Sequence, residues 1–199
     1  ILLPALLLAA PTPDAANLIA RLKRPVPAST AYTEVRFVHQ LTRPLVLRGE
    51  LDYGGAGKLG KRVDAPYRES TTISGDNVTV TRPDRTTKHF DLERAPELKT
   101  LMGGFSALLG GDAAALAALY VISHVDNARD WTLTLTPRDA ALSAHLKAFV
   151  IDGSGNEPRC FTLQQANGDA SVMLLGPLAA AKLPQPPTTA ALATLCRAP

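Results

Sequence analysis

Residues 55–60, Gly-Ala-Gly-Lys-Leu-Gly, reproduce the G-x-G-x-x-G spacing with which backbone N–H groups cradle a pyrophosphate, and they follow a strand-like stretch. That chemistry needs a helix to open at the loop, so that its first amides and its dipole meet the anion. Here Pro66 follows within a few residues and no apolar stripe of helical period intervenes. The glycines therefore read as a β-turn or bulge between hairpins. Of the four histidines (His39, His89, His124, His145), none stands two or four residues from another histidine or a cysteine, so metal-ligand spacing is missing. Ser106, in Gly104-Phe-Ser-Ala-Leu, lacks the second glycine of a nucleophile elbow and reads as a helix residue. No carboxylate pair sits on a recognisable catalytic scaffold. The expectation is a protein that is not an enzyme and uses neither metal nor cofactor.

The remaining reactive side chains are Cys160 and Cys196, both late in the chain. An even count in an exported protein suggests one disulfide that pins the C-terminal tail to the body. The alternative is two unpaired thiols. Export itself is suggested by residues 1–10, ILLPALLLAA, which resemble the apolar region and small-residue tail of a secretory signal. The run is about half the roughly 20 residues that a membrane span needs, and it contains Pro4. A buried N-terminal helix is the competing reading.

The 199 residues suffice for one domain with a substantial core. With 46% hydrophobic and 20% charged residues, whole-chain disorder is excluded. The net charge of +3 is scattered, its densest cluster being Arg21, Lys23 and Arg24, which does not make the one-sided basic face of a nucleic-acid binder.

The elements that must position these residues are mostly strands. A short helix carries Leu18, Ile19 and Leu22, with Asp14 as N-cap, and ends at Pro25 and Pro27. Then comes alternation: Ala31, Thr33, Val35, Phe37 and His39 share one face against Tyr32, Glu34, Arg36, Val38 and Gln40. Next, Leu45, Leu47, Gly49, Leu51 and Tyr53 oppose Val46, Arg48, Glu50 and Asp52. Further strands are predicted at 67–74, 77–82, 85–92, 131–136, 146–152, 158–166 and 171–175, joined by turns such as Gly75-Asp76, Pro83-Asp84 and Asn167-Gly168-Asp169. About nine short strands at hairpin spacing point to one large curved antiparallel sheet or incomplete barrel.

Between the two strand runs, Leu98, Leu101, Met102, Phe105, Leu108 and Leu109 form a helical stripe, and Asp112 opens a second helix with Leu116, Leu119 and Tyr120. The pairs Gly103-Gly104 and Gly110-Gly111 are expected to interrupt these helices as a bend or hinge. A helix pair in this place closes the mouth of a curved sheet as a lid. A sheltered apolar cavity and a solid core remain equally open readings. The predicted lining is Val35, Phe37, Leu47, Leu51, Leu101, Met102, Phe105, Leu109 and Trp131. The tail, 177–199, rich in Pro and Ala, reads as extended with at most a short helix near 190–195.

Taken in order, Thr33-Glu-Val-Arg-Phe37, Pro44-Leu-Val-Leu-Arg-Gly-Glu-Leu-Asp-Tyr53, the Pro66 strand, Ile73-Ser-Gly-Asp-Asn-Val78, Leu108-Leu-Gly-Gly-Asp112, Trp131-Thr-Leu-Thr-Leu-Thr-Pro137 and the Asp152-Gly153 hairpin resemble the periplasmic outer-membrane lipoprotein carrier family (LolA), in its divergent relatives. The resemblance runs over residues 15–176, which it marks as a lipid-carrier domain after the signal remnant and extension of 1–14. It implies an incomplete antiparallel β-barrel closed by a helical lid around a hydrophobic cavity. It also implies a periplasmic monomer that takes acyl chains from an inner-membrane transporter and hands them to an outer-membrane receptor. The cargo would be an acylated lipoprotein or another lipid. The family places an Arg-Pro pair just after the Gly-x-Leu-x-x strand, where the arginine tethers the lid; here that stretch is Gly54-Gly-Ala-Gly-Lys58, without arginine. A non-catalytic structural or protein-binding envelope domain with a filled core is the alternative.

Overall fold

The computed structural model describes residues 12–84, 86–127 and 129–197. The apolar run taken as an export signal lies outside them. Eleven strands form one antiparallel sheet: β1 (Ala28–Phe37), β2 (Leu45–Tyr53), β3 (Lys58–Ala65), β4 (Glu69–Ser74), β5 (Asn77–Thr81), β6 (Thr87–Asp91), β7 (Tyr120–Asn127), β8 (Asp130–Pro137), β9 (Leu146–Ser154), β10 (Glu157–Gln165) and β11 (Ala170–Leu175). Their order is β6-β5-β4-β3-β2-β1-β11-β10-β9-β8-β7. β1 pairs with both β2 and β11, so the two hairpin runs meet at the first strand. The sheet curls without closing, and β6 and β7 are its two free edges.

Five helices accompany the sheet: α1 (Pro13–Arg21), α2 (Pro96–Gly110), α3 (Ala113–Leu119), the single turn α4 (Ala140–Ser143) and α5 (Thr189–Arg197). α1 buries Leu18 and Ile19 together with Leu22, which follows the helix. These join Leu116 of α3, Tyr120, Leu133, Leu135, Phe149 and Ile151 in the main core on the inner face of the sheet. Burial at this density is the dominant stabilising term. A second cluster occupies the outer face, where Val35, Cys160, Val172 and Leu174 pack beneath Leu192 and Cys196 of α5.

Cys160 and Cys196 are joined, closing a loop of 36 residues between α5 and β10. In the chain-entropy account such a crosslink is worth about 4 kcal/mol. It holds down a tail that otherwise offers a five-residue 3-10 turn at Gly176–Ala180 and one short helix.

The sequence reading missed two strands. β3 occupies residues given to a turn: Gly55 and Gly57 do turn the chain, at φ of 102° and 69°, but pairing with β2 begins directly at Leu59. β7 begins at Tyr120, where the helical spacing of Leu116, Leu119 and Tyr120 predicts continued helix. α3 stops at Leu119, and the alternation of inward Tyr120, Ile122 and His124 against exposed Val121 and Val125 carries the chain on as an edge strand.

Of the two glycine pairs expected to interrupt the helices, Gly110-Gly111 does so between α2 and α3, and Gly103-Gly104 does not. Gly103 and Gly104 lie inside an unbroken α2. A Cβ on Gly104 would stand 2.5 Å from Cε2 of Tyr120, a fully buried ring, so the missing side chain lets the helix cross that ring closely. Gly111 ends α2 in the left-handed region at φ 71°, where glycine carries no steric penalty.

Candidate functional site

α2 lies across the inner face of the sheet as the predicted lid. Near its N-terminus, Leu98 and Met102 pack on a small cluster made by Ile73, Val78 and Leu92, with Leu59 and Val80 beside them. Farther along, Phe105 stacks on Phe149 and Phe161, with ring centroids 4.6 and 5.6 Å away. Ala107 and Leu108 enter the main core. One helix therefore reaches from β4 and β5 on one side to β9 and β10 on the other.

The polar ties of the lid are modest. Lys99 pairs with Asp76 in the β4–β5 turn (3.0 Å) and with Glu93, all three substantially exposed. The N–H of Gly57 donates to Ser106 Oγ at 3.3 Å, and the N–H of Arg24 donates to the carbonyl of Leu109 at 2.9 Å. The turn between β2 and β3, which holds no arginine, thus meets the lid through a neutral hydrogen bond.

Of the lining residues expected from sequence, Leu47, Leu51, Leu101, Phe105 and Trp131 come together in or against the main core. Met102 sits on the small cluster at the other end of the lid. Leu109 is half-buried on the lid itself. Trp131 is a corner of the core: its Nε1–H donates to the carbonyl of Gly155, and its ring lies against Gly153. Val35 and Phe37 are placed on the outer face, beneath α5.

The register explains this placement of Val35 and Phe37. Glu34 stands opposite Leu47 and Met173, both inward, so the inner face of β1 is the one with Tyr32, Glu34 and Arg36. Sequence polarity pointed the other way, because this strand is covered on both sides and its apolar face is the outer one. No pattern within β1 signals the exchange.

Glu34 is the buried centre of a charged group. Its Oε1 accepts from Arg36 Nε (2.9 Å) and Ser171 Oγ (2.5 Å), and its Oε2 accepts from Arg36 Nη2 (3.1 Å) and Lys61 Nζ (2.6 Å). Burial alone would raise its pKa, but the hydrogen bonds from Arg36 and the charge of Lys61 overcome this and hold it at about 2. The ammonium of Lys61 lies 5.0 Å from the ring centroid of Tyr32, a cation–π distance. Tyr32 is 1% exposed and its hydroxyl finds no partner.

Two open clefts flank this region. One, of about 530 Å³, is lined by Tyr67, Arg68, Glu69, Arg82, Pro83 and Asp84. The other, of about 320 Å³, lies beside Phe37, His39, Leu41 and Asp169. Among the described residues no cluster of His, Cys, Asp and Glu is arranged to hold a metal, and no helix is long and apolar enough to cross a membrane.

No curated protein sequence matches this chain. Among solved structures, it is similar to a LolA superfamily protein from Nitrosomonas europaea at 12% identity and a TM-score of 0.47, over 89% of this chain and 96% of that one. A lipoprotein-sorting protein domain described as putative, from Vibrio parahaemolyticus, aligns at 10% identity and 0.43, over 81% and 88%. The MucA/MucB complex of Pseudomonas aeruginosa aligns at 15% and 0.41, over 81% and 55%. Residues 8–198 match a single family over nearly the whole chain, and the protein belongs to it: the outer membrane lipoprotein carrier protein LolA-like family.

Proposed function

We propose that this protein is a non-catalytic periplasmic carrier that shelters the acyl chains of a lipoprotein or another lipid between the inner and outer membranes. In this reading it receives cargo from an inner-membrane transporter and delivers it to an outer-membrane receptor. The observation that carries the reading is the incomplete burial under the lid. Leu98, Leu101, Met102 and Phe105 of α2, and Leu51, Leu59 and Val80 facing inward from the sheet, are only half-buried, although each side chain is turned toward the interior. Apolar surface left wet inside a fold is surface that a hydrocarbon chain can cover with gain.

The test is titration with N-phenyl-1-naphthylamine, whose emission rises in apolar surroundings. The wild-type protein takes up the dye saturably, and Phe105→Asp, which places a charge where hydrocarbon sits, loses uptake by about tenfold or more. Circular dichroism confirms that the sheet of the variant is intact. Equal uptake by a folded Phe105→Asp variant overturns the reading. Native mass spectrometry of protein purified from envelopes then identifies a retained lipid.

The stacking of Phe105 on Phe149 and Phe161 favours a second reading, an envelope domain with a filled core. That reading requires no saturable uptake at all.

A further inference from the structure

The inner face of a hydrocarbon shelter has no need of charge, yet here it carries five charged side chains in one neighbourhood. Glu34 is bound by Arg36 and Lys61, and Glu69 is paired with Arg82 at 3.0 Å. Around Glu34, two cations thus face one carboxylate, whereas Arg82 stands between Glu69 and Asp84 of the same cleft. The outward residues do not correct the imbalance, because Glu50 and Asp64 are both engaged with Arg62 on the outer face. Glu34 carries a single negative charge and is bound by both Arg36 and Lys61, so this group keeps a positive surplus.

The surplus charge remains reachable. The side chains of Arg36 and Lys61 are 37% and 27% exposed, while that of Glu34 is 4% exposed. Arg36 gives two of its guanidinium N–H donors to Glu34, and a guanidinium has five. On the same face, the Tyr32 hydroxyl is buried without a partner, a costly state for a polar group. Tyr67 lines the 530 Å³ cleft beside Glu69 and Arg82. A cation surplus, spare donors and an orphan hydroxyl beside half-wet apolar surface have one chemical complement, an anionic oxygen group attached to a hydrocarbon chain.

We infer that Arg36, Lys61 and the hydroxyl of Tyr32 form an anion subsite for the carboxylate or phosphate head of an amphiphile whose chain lies under the lid. The inference rests on the carrier reading above.

Three probes of equal chain length separate the two ideas: dodecanoate, dodecyl phosphate and dodecanol, each competing with the bound dye. The wild-type protein binds the two anions at least about tenfold more tightly than dodecanol, a difference typical of a charge-assisted hydrogen-bonded pair. Lys61→Met and Tyr32→Phe each bring the anions close to dodecanol while leaving dodecanol itself unchanged. Lys61→Met leaves Glu34 with Arg36 and Ser171. Tyr32→Phe removes only a hydroxyl that bonds to nothing, so it carries the test if the lysine variant fails to fold. The stronger of the two anions identifies the head group. Dodecanol binding with no anionic preference, or a preference that survives both variants, overturns the subsite and leaves the carrier reading standing. Binding of none of the three overturns both.

Discussion

The two halves of the sheet are built by the same hairpin grammar and finished differently. On the β7–β11 side, Leu133, Leu135, Phe149 and Ile151 are completely buried, roofed by α1, α3 and the middle of α2. On the β2–β6 side, Leu51, Leu59 and Val80 are half-buried, Phe90 is 41% exposed, and the cover is the N-terminal part of α2 with one 3-10 turn, Leu92–Arg94. The first half is a close-packed interior, while the second buries Leu47, Val63, Ile73 and Val78 and leaves the apolar residues around them half-covered. The difference lies in the cover: α1, α3, α4 and the middle of α2 lie over one side, and the N-terminal part of α2 with the 3-10 turn lies over the other.

Truncation on each side gives the sharpest test. Phe149→Ala removes a side chain at 0% exposure that stacks on two other rings, so a loss of about 3–5 kcal/mol is expected in urea unfolding. Leu98→Ala, half-wet beneath the lid end, is expected to cost under about 1.5 kcal/mol. Equal losses would erase the distinction between the halves.

Glu34 lies near the seam between them, and its protonation supplies the next largest effect. Its carboxyl is held at about 2 in the fold, against an ordinary value of 4.5. The unfolded chain therefore binds more protons in that window, and stability rises with pH. The contribution is complete above pH 4.5 and disappears as pH falls from there toward 2, on the order of 2–3 kcal/mol. The groups facing Glu34 are Arg36, Lys61, Ser171 and Tyr32, and none of them titrates in that interval. Thermal unfolding of the wild type and Glu34→Gln between pH 2 and 6 measures the difference: the glutamine variant is less stable at pH 6 and has a flatter profile.

Gly104→Ala acts where the lid crosses the first residue of β7. The added methyl meets the buried Tyr120 ring, and overpacking of this kind costs about 1–3 kcal/mol, offset by about 1 kcal/mol from alanine's better helix propensity. A net loss of about 1 kcal/mol is expected, with faster amide exchange across 98–110 and unchanged protection in β8 and β9. Slower exchange through the same segment would mean that Gly104 serves flexibility and not close approach.

The smallest effect belongs to Lys99→Met, which releases an exposed ion pair with Asp76 and Glu93. Global stability stays unchanged, and exchange near Leu98 rises slightly at low salt but not at high salt, where the pair is screened already.

Much of this architecture was legible in the chain. Period-two alternation with Gly-Asp, Pro-Asp and Asn-Gly turns determined the hairpins, and β2 falls at Leu45–Tyr53 as alternation alone placed it. The stripe from Leu98 to Leu109 determined the lid, and the two cysteines suggested the bond that the fold contains. These signals are local, carried by neighbours within a turn or two of one another.

What the tertiary structure decided is which side of each strand looks inward. Val35 and Phe37 face α5 because a distant tail, fixed by Cys196, covers the outer face of β1. Glu34 faces inward because Arg36 on its own strand, Lys61 from β3 and Ser171 from β11 converge on it. A charge can be buried only when its partners arrive from elsewhere in the chain, and that convergence depends on sheet order and register, which alternation along one strand does not contain.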